Sequence, residues 1–162
     1  MPNSLKNVKE HLEERILKIN RVSKVTKGGK TLNFRAIIVI GNKNGKVGVG
    51  IGKAKDVAFA IKKAKRQGQQ NMIEINLTKY KSIPYTSNGN FGACAVILRP
   101  SRDGSGVVAG GAVRTILEVA GIKNIIAKQL GSNSILNNTR ATMLALNSFT
   151  KKNVDEKNYL KI

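Results

Sequence analysis

Cysteine and histidine each occur once in the 162 residues, at Cys94 and His11, and tryptophan is absent. A single thiol excludes an intramolecular disulfide, and one Cys with one His excludes any metal site built on several such ligands. No histidine can serve as base beside a Ser or Cys nucleophile. Acidic residues are few: nine, against 29 Lys and Arg, giving a formal net charge of +20. They are scattered along the chain and outline no acid–base site. The longest apolar runs, Ala36 to Ile40 and Ala93 to Leu98, fall far short of the roughly 20 residues a spanning helix needs. The N-terminal stretch MPNSLKNVKEHLEERILKINR has no apolar signal core, and Glu10, Glu13 and Glu14 set it apart from acid-poor transit peptides. Four Phe and three Tyr form no pattern of stacking aromatics on a strand, which argues against base stacking as the main mode of binding nucleic acid.

What is present is charge on a foldable chain. Hydrophobic residues make up 41% of the sequence, enough for a real core in one large or two small domains. A charge of this size calls for a polyanionic partner. Through Tyr85 there are 19 basic and 5 acidic residues, and after it 10 and 4, so the first half carries most of the excess. Lys, Ile and Asn number 21, 17 and 17, the bias of an AT-rich coding genome. His11 reads as a solvated side chain, and Cys94, inside ACAVIL, as a small buried one.

Periodicity predicts an α+β chain of two small domains. TLNFRAIIVIG places Leu32, Phe34, Ala36, Ile38 and Ile40 on one strand face. Asn44-Gly45 suits a two-residue hairpin turn, and KVGVGIG returns with Val47, Val49 and Ile51 on one face and Gly48, Gly50 and Gly52 on the other. That bare face admits the close approach of another backbone. Gly28-Gly29 predicts a preceding hairpin. From Ala54 the period becomes helical, with Val57, Ala60, Ile61 and Ala64 on one face, Asp56 in the first turn and Gly68 as the stop. The first domain thus reads β-β-β-α, and Pro84 marks a boundary region. In the second, GGAVRTILEVAG places Val113, Ile116, Leu117 and Ala120 on one helical face with Gly121 as the stop. A strand follows near Ile122 to Lys128, then a helix from Thr139 to Phe149 capped by Asn138 or Thr139. The expected divisions are an N-terminal arm over 1–11, a first domain over 12–80, a second over 81–150 and a tail over 151–162.

The glycine-rich elements do not support nucleotide chemistry. Around Gly52-Lys53 a P-loop would need Gly at Val47 and a hydroxyl at Ala54. Gly104, Gly106 and Gly110 are spaced one residue too widely for a dinucleotide fingerprint, and no acid follows at the ribose-binding distance. No enzyme, cofactor, metal or small-molecule substrate is expected. Lys62, Lys63, Lys65 and Arg66 read either as cations closing a helix against its dipole or as an RNA contact. Lys24, Lys27 and Lys30 around Gly28-Gly29, and Lys43 and Lys46 around Asn44-Gly45, point to RNA, because a glycine apex nears a phosphate while flanking lysines supply charge. Recognition of RNA shape and backbone is the expected mode.

NRVSKVTKGGK, IGNKNGKVGVGIGKA, GSGVVAGGAVRTILEVAGI and LGSNSILNNTRAT, in this order from about Leu12 to Phe149, resemble the signature segments of the small-subunit ribosomal protein five family of bacteria and plastids. The last of them is closer to the plastid branch. The resemblance implies a first domain similar to a double-stranded-RNA-binding domain and a second α+β domain. It implies a structural, non-enzymatic constituent of the small subunit that supports assembly and accuracy where mRNA enters. The implied neighbours are small-subunit rRNA and ribosomal proteins four and eight, with mRNA nearby, in the plastid stroma or alternatively the bacterial cytoplasm. Taken with the hairpin-tip reading, the expected rRNA-binding residues are Arg21, Ser23, Lys24, Lys27, Gly28, Gly29, Lys30, Lys43, Lys46, Lys53 and Lys55. In this family the loop matching Arg21 to Lys30 is associated with spectinomycin sensitivity, and the segment matching Arg102 to Arg114 with the protein-four contact, here Arg102, Gly104, Gly106 and Arg114. PSRDGSG is more charged than the family's usual loop. The competing reading from the residues alone is a free-standing RNA-binding regulator or chaperone.

Overall fold

The computed structural model describes residues 11–150; the expected tail, and the expected arm apart from His11, lie outside the described residues. Four antiparallel strands form the first sheet in the order β1 (Glu13–Thr26), β2 (Gly29–Gly41), β3 (Lys46–Ala54) and β4 (Met72–Glu74), with α1 (Val57–Gln70) between β3 and β4. The three expected strands and helix are there. β4 is an addition that pairs only with Lys46 to Gly48, too short for alternation to reveal.

The sheet buries both faces. Ala36, Ile38 and Ile40 meet Ala60 and Ala64 of α1 in one core. Val39 and Val47 turn the other way and join the core of the second domain. The glycine face of β3 has a definite occupant. A Cβ on Gly48, Gly50 or Gly52 would lie 2.2, 1.8 or 2.0 Å from the carbonyl oxygens of Gly68, Ala64 and Ala60. The backbone admitted by those glycines is therefore that of α1. Gly68 is not the helix stop; it is buried in the interior of α1, where a Cβ would meet the Ile40 side chain at 3.0 Å. Asp56 stands one position earlier than expected, as the N-cap with extended backbone.

The second sheet runs β5 (Ser87–Phe91), β6 (Cys94–Pro100), β8 (Ile125–Gly131) and β7 (Val107–Val108), with β7 parallel to β8. Helix α2 (Gly111–Ala120) connects β7 to β8, and α3 (Ile135–Asn147) follows β8. The apolar face expected for α2 is buried, and Gly121 ends the helix at φ 86° with N–H bonds from Gly121 and Ile122 back to Glu118 and Leu117, the glycine-terminated motif. β8 starts three residues later than expected. Helix α3 starts a turn earlier than expected, with Ser134 as N-cap. Thr139 and Thr142 lie inside it because their hydroxyls donate to the Ile135 and Asn138 carbonyls, which lets a buried threonine tolerate a helix interior. Cys94 is buried, its thiol directed at the Ser132 carbonyl.

Candidate nucleic-acid interface

β3 ends at Ala54, opposite Phe34. Beyond that point β1 and β2 continue alone, pairing from Arg21 with Phe34 to Thr26 with Gly29, a ribbon about 20 Å long at the strand rise. Its turn is centred on Lys27-Gly28, one residue earlier than expected, because Gly29 already opens β2 at φ 137°. The Thr26 hydroxyl donates to the Gly29 carbonyl across it. Every residue from Ser23 to Leu32 is exposed. Pairing puts Arg21, Ser23 and Lys30 on the face shared with Phe34, and Lys24 on the opposite one. The ribbon thus brings together Arg21, Ser23, Lys24, Lys27, Gly28, Gly29 and Lys30 as an arm that is cationic on both faces. No acidic residue occurs between Glu14 and Asp56, so nothing on the arm neutralises it.

The second expected tip is built differently. Residues 42–45 form a loop held by the Asn42 side chain, whose oxygen accepts from the N–H groups of Asn44 and Lys46 at 2.8 and 3.1 Å. The left-handed positions are Lys43 at φ 56° and Gly45 at φ 93°, not Asn44. The Lys43 and Gly45 amides donate to the Val119 and Ala120 carbonyls at the end of α2. The loop is docked on the second domain, and Lys43 Nζ lies 2.5 Å from Glu13 Oε2.

That pair begins a ladder across the domain junction. Glu13 also accepts from Arg15 Nε at 3.0 Å; Arg15 Nη1 reaches Glu118 Oε2 at 2.6 Å, and Arg114 Nε reaches Glu118 Oε1 at 2.8 Å. The bond from Lys43 foremost holds the Glu13 carboxyl below its ordinary range, and the bond from Arg114 foremost does the same for Glu118. Because both folded values are depressed, the stability they confer is present above the unfolded value of about 4.3 and is lost as pH falls through the folded ones. The melting temperature should therefore be flat from pH 7 to 5 and fall below about pH 4.3, and Glu118→Gln should blunt that fall. A profile unchanged by this substitution would remove Glu118 from the junction's energetics.

Arg114 is exposed and engaged with Glu118. Arg102, Gly104 and Gly106 lie apart from that ladder, in a loop with left-handed glycines at φ 83° and 74°. The loop is tied down by Asn124, which donates to Asp103 Oδ1 at 3.0 Å and accepts from the Gly106 amide at 3.3 Å. Lys53 and Lys55 are exposed at the end of β3 and just past it, and Lys46 is partly buried.

The dipole reading of the α1 cations fails, because the last turn holds no basic residue. Lys62, Lys63 and Arg66 lie in the second and third turns, and Lys65 pairs with Glu14. Placing the helix end at Gly68 is what hid this. Among the described residues no group of three or more His, Cys, Asp or Glu could hold a metal.

The chain matches the family described as Ribosomal protein S5, N-terminal domain, over residues 12–76, and Ribosomal protein S5, C-terminal domain, over residues 89–157. It is 65% identical over 141 residues to Small ribosomal subunit protein uS5c of Phaeodactylum tricornutum, covering 87% of this chain and 80% of that one. To the uS5c protein of Trieres chinensis it is 66% identical over 139 residues, covering 86% and 75%. To that of Cyanophora paradoxa it is 61% identical over 134 residues, covering 83% and 79%. With both domain matches in chain order on the two folded units described above, the chain belongs to the ribosomal protein S5 family.

Proposed function

We propose that this chain is a structural, non-enzymatic constituent of the small subunit of a plastid ribosome, holding small-subunit rRNA through its β1–β2 arm. The observation that carries this reading is the arm itself: a two-stranded ribbon that beyond Phe34 enters neither buried core, holds no acid, and carries Arg21, Lys24, Lys27 and Lys30 on and around a glycine turn. Lysines spread over both faces suit insertion among phosphates, which fixes position rather than reads sequence. Ser23 and the turn amides add donors, and Lys53 and Lys55 extend the cationic surface onto the sheet. Lys43, which also pairs with Glu13, and Lys46 complete the proposed rRNA-binding set at the second loop. Sedimentation of native lysate tests the assignment: the chain should travel with small subunits through high salt, and recovery only in the soluble top fractions would favour a free-standing RNA-binding regulator.

The second domain offers the surface for protein neighbours, for which ribosomal proteins four and eight are the candidates, with mRNA nearby. Val108, Ile126 and Leu130 are exposed on its sheet, the kind of apolar surface a partner covers, and Arg102, Gly104, Gly106 and Arg114 complete the assignment. An exposed ion pair is worth under about 1 kcal/mol, and Arg15 still holds Glu118 when Arg114 is gone. Arg114→Leu should therefore keep the free chain within about 0.5 kcal/mol of wild type while raising stop-codon readthrough in ribosomes that contain it. Equal readthrough would remove Arg114 from the contact, and a large loss of melting temperature would make it structural.

A further inference from the structure

The ligand-shaped feature that the arm does not use is a cleft of about 450 Å³ at the domain junction. Two helices begin at it: Gly111 and Ala112 of α2, and Ser134 and Ile135 of α3, line its wall. Neither helix has a side-chain cap bond at its N-cap, so the first amides of both, with the positive ends of their dipoles, lack that partner. Lys18 and Asn20 of β1 close the cleft, and no acidic side chain lines it. They face it because a bulge between Ile16 and Lys18 shifts the register, putting Lys18 and Asn20 on the same sheet face as Arg15.

A second observation points to a ligand with both donor and acceptor groups. Asn138 also lines the cleft and is 1% exposed. Its Nδ2 donates to the Ser132 carbonyl at 3.2 Å, and its Oδ1 finds no donor among the described residues. That oxygen would repel a phosphate but accept from a hydroxyl. Amides and an ammonium for an anion, beside one buried acceptor for a hydroxyl, match a phosphate with its ribose 2′-OH. The surroundings favour RNA as the source. Asn20, Val22 and Lys24 share one face of β1, so a strand lying along that side of the arm leads into the cleft.

We infer that this cleft seats one RNA phosphate, on the N-termini of α2 and α3 with Lys18, and takes the adjoining ribose hydroxyl on Asn138. The inference rests on the proposed rRNA binding. Gly111→Asp tests it in the full chain with a small-subunit rRNA transcript, measured by filter binding over a salt series. A Cβ at Gly111 meets nothing within 4 Å, and a carboxylate at a helix N-terminus favours the free fold; melting should hold or rise. Binding should weaken at least about tenfold, the low end for interactions with a charged group, while Gly111→Asn binds as wild type. Lys18→Gln should flatten the salt slope by about 0.7 to 0.9. Wild-type affinity of Gly111→Asp, or equal losses with Asp and Asn, overturns the seat. Where Lys24→Ala, Lys27→Ala and Lys30→Ala together still weaken binding, the arm reading survives that failure; where this triple variant also binds as wild type, both fall. If inorganic phosphate raises the melting of wild type while Gly111→Asp keeps wild-type rRNA affinity, the cleft is a free-anion site and the RNA assignment is overturned.

Discussion

Replacing Gly50 by alanine is expected to destabilise the free chain by more than about 3 kcal/mol, the upper range for overpacking a close-packed interior. In circular dichroism this should lower the melting temperature by about 6 to 12 °C or more for a chain of this size. The new methyl would sit 1.8 Å from the Ala64 carbonyl oxygen and 2.6 Å from the Gly68 amide nitrogen. Both are main-chain atoms of α1, and neither can rotate away as a side chain could. Helix α1 must lift from the sheet, opening the core that Ala36, Ile38 and Ile40 share with Ala60 and Ala64. Gly28→Ala is the control: its Cβ meets nothing within 4 Å, and the added stiffness of the unfolded chain offsets any small loss. Equal melting of the two variants would show that β3 and α1 do not pack as described.

The second large effect concerns RNA. Changing Lys24, Lys27 and Lys30 together to alanine should flatten the dependence of log affinity on log salt by about 2 to 3, since each phosphate contact contributes about 0.7 to 0.9. These side chains are exposed, and the ribbon beyond Phe34, where they lie, contributes nothing to either buried core. The substitution should therefore leave melting unchanged, and a change in affinity would report contact rather than folding. An unchanged slope would make the lysines solvated ornaments of the turn.

The contrast between these residues and others shows what local sequence can and cannot specify. The buried face of α2 and its stop at Gly121 were legible because a 3.6-residue period and a left-handed glycine are written within a dozen residues. The alternation of β2 was legible for the same reason. Gly68 was not, because a glycine ends a helix or lets it pack closely with equal ease, and only the facing Gly50 decides between them. Ser134 and Asn138 are both residue types that cap helices, and only the fold shows that Asn138 and Thr139 are buried inside α3 rather than standing ahead of it. Lys43 read as a lysine of the second hairpin tip, and no local signal showed that the fold brings Glu13 to its ammonium and the end of α2 to its amide. The candidate cleft was invisible for the strongest version of that reason: its parts come from β1, α2 and α3, and no spacing along the chain joins them. The arm is the converse case, since a hairpin is a local structure and its lysines meet through their own turn.

Sedimentation of small subunits assembled with the Lys24, Lys27 and Lys30 triple variant is the most direct test of the arm as the rRNA-holding element. A variant with wild-type melting that leaves the small-subunit peak as salt is raised, at concentrations where the wild-type chain stays bound, is the predicted result. A variant that stays with small subunits through the same salt range as wild type would contradict it.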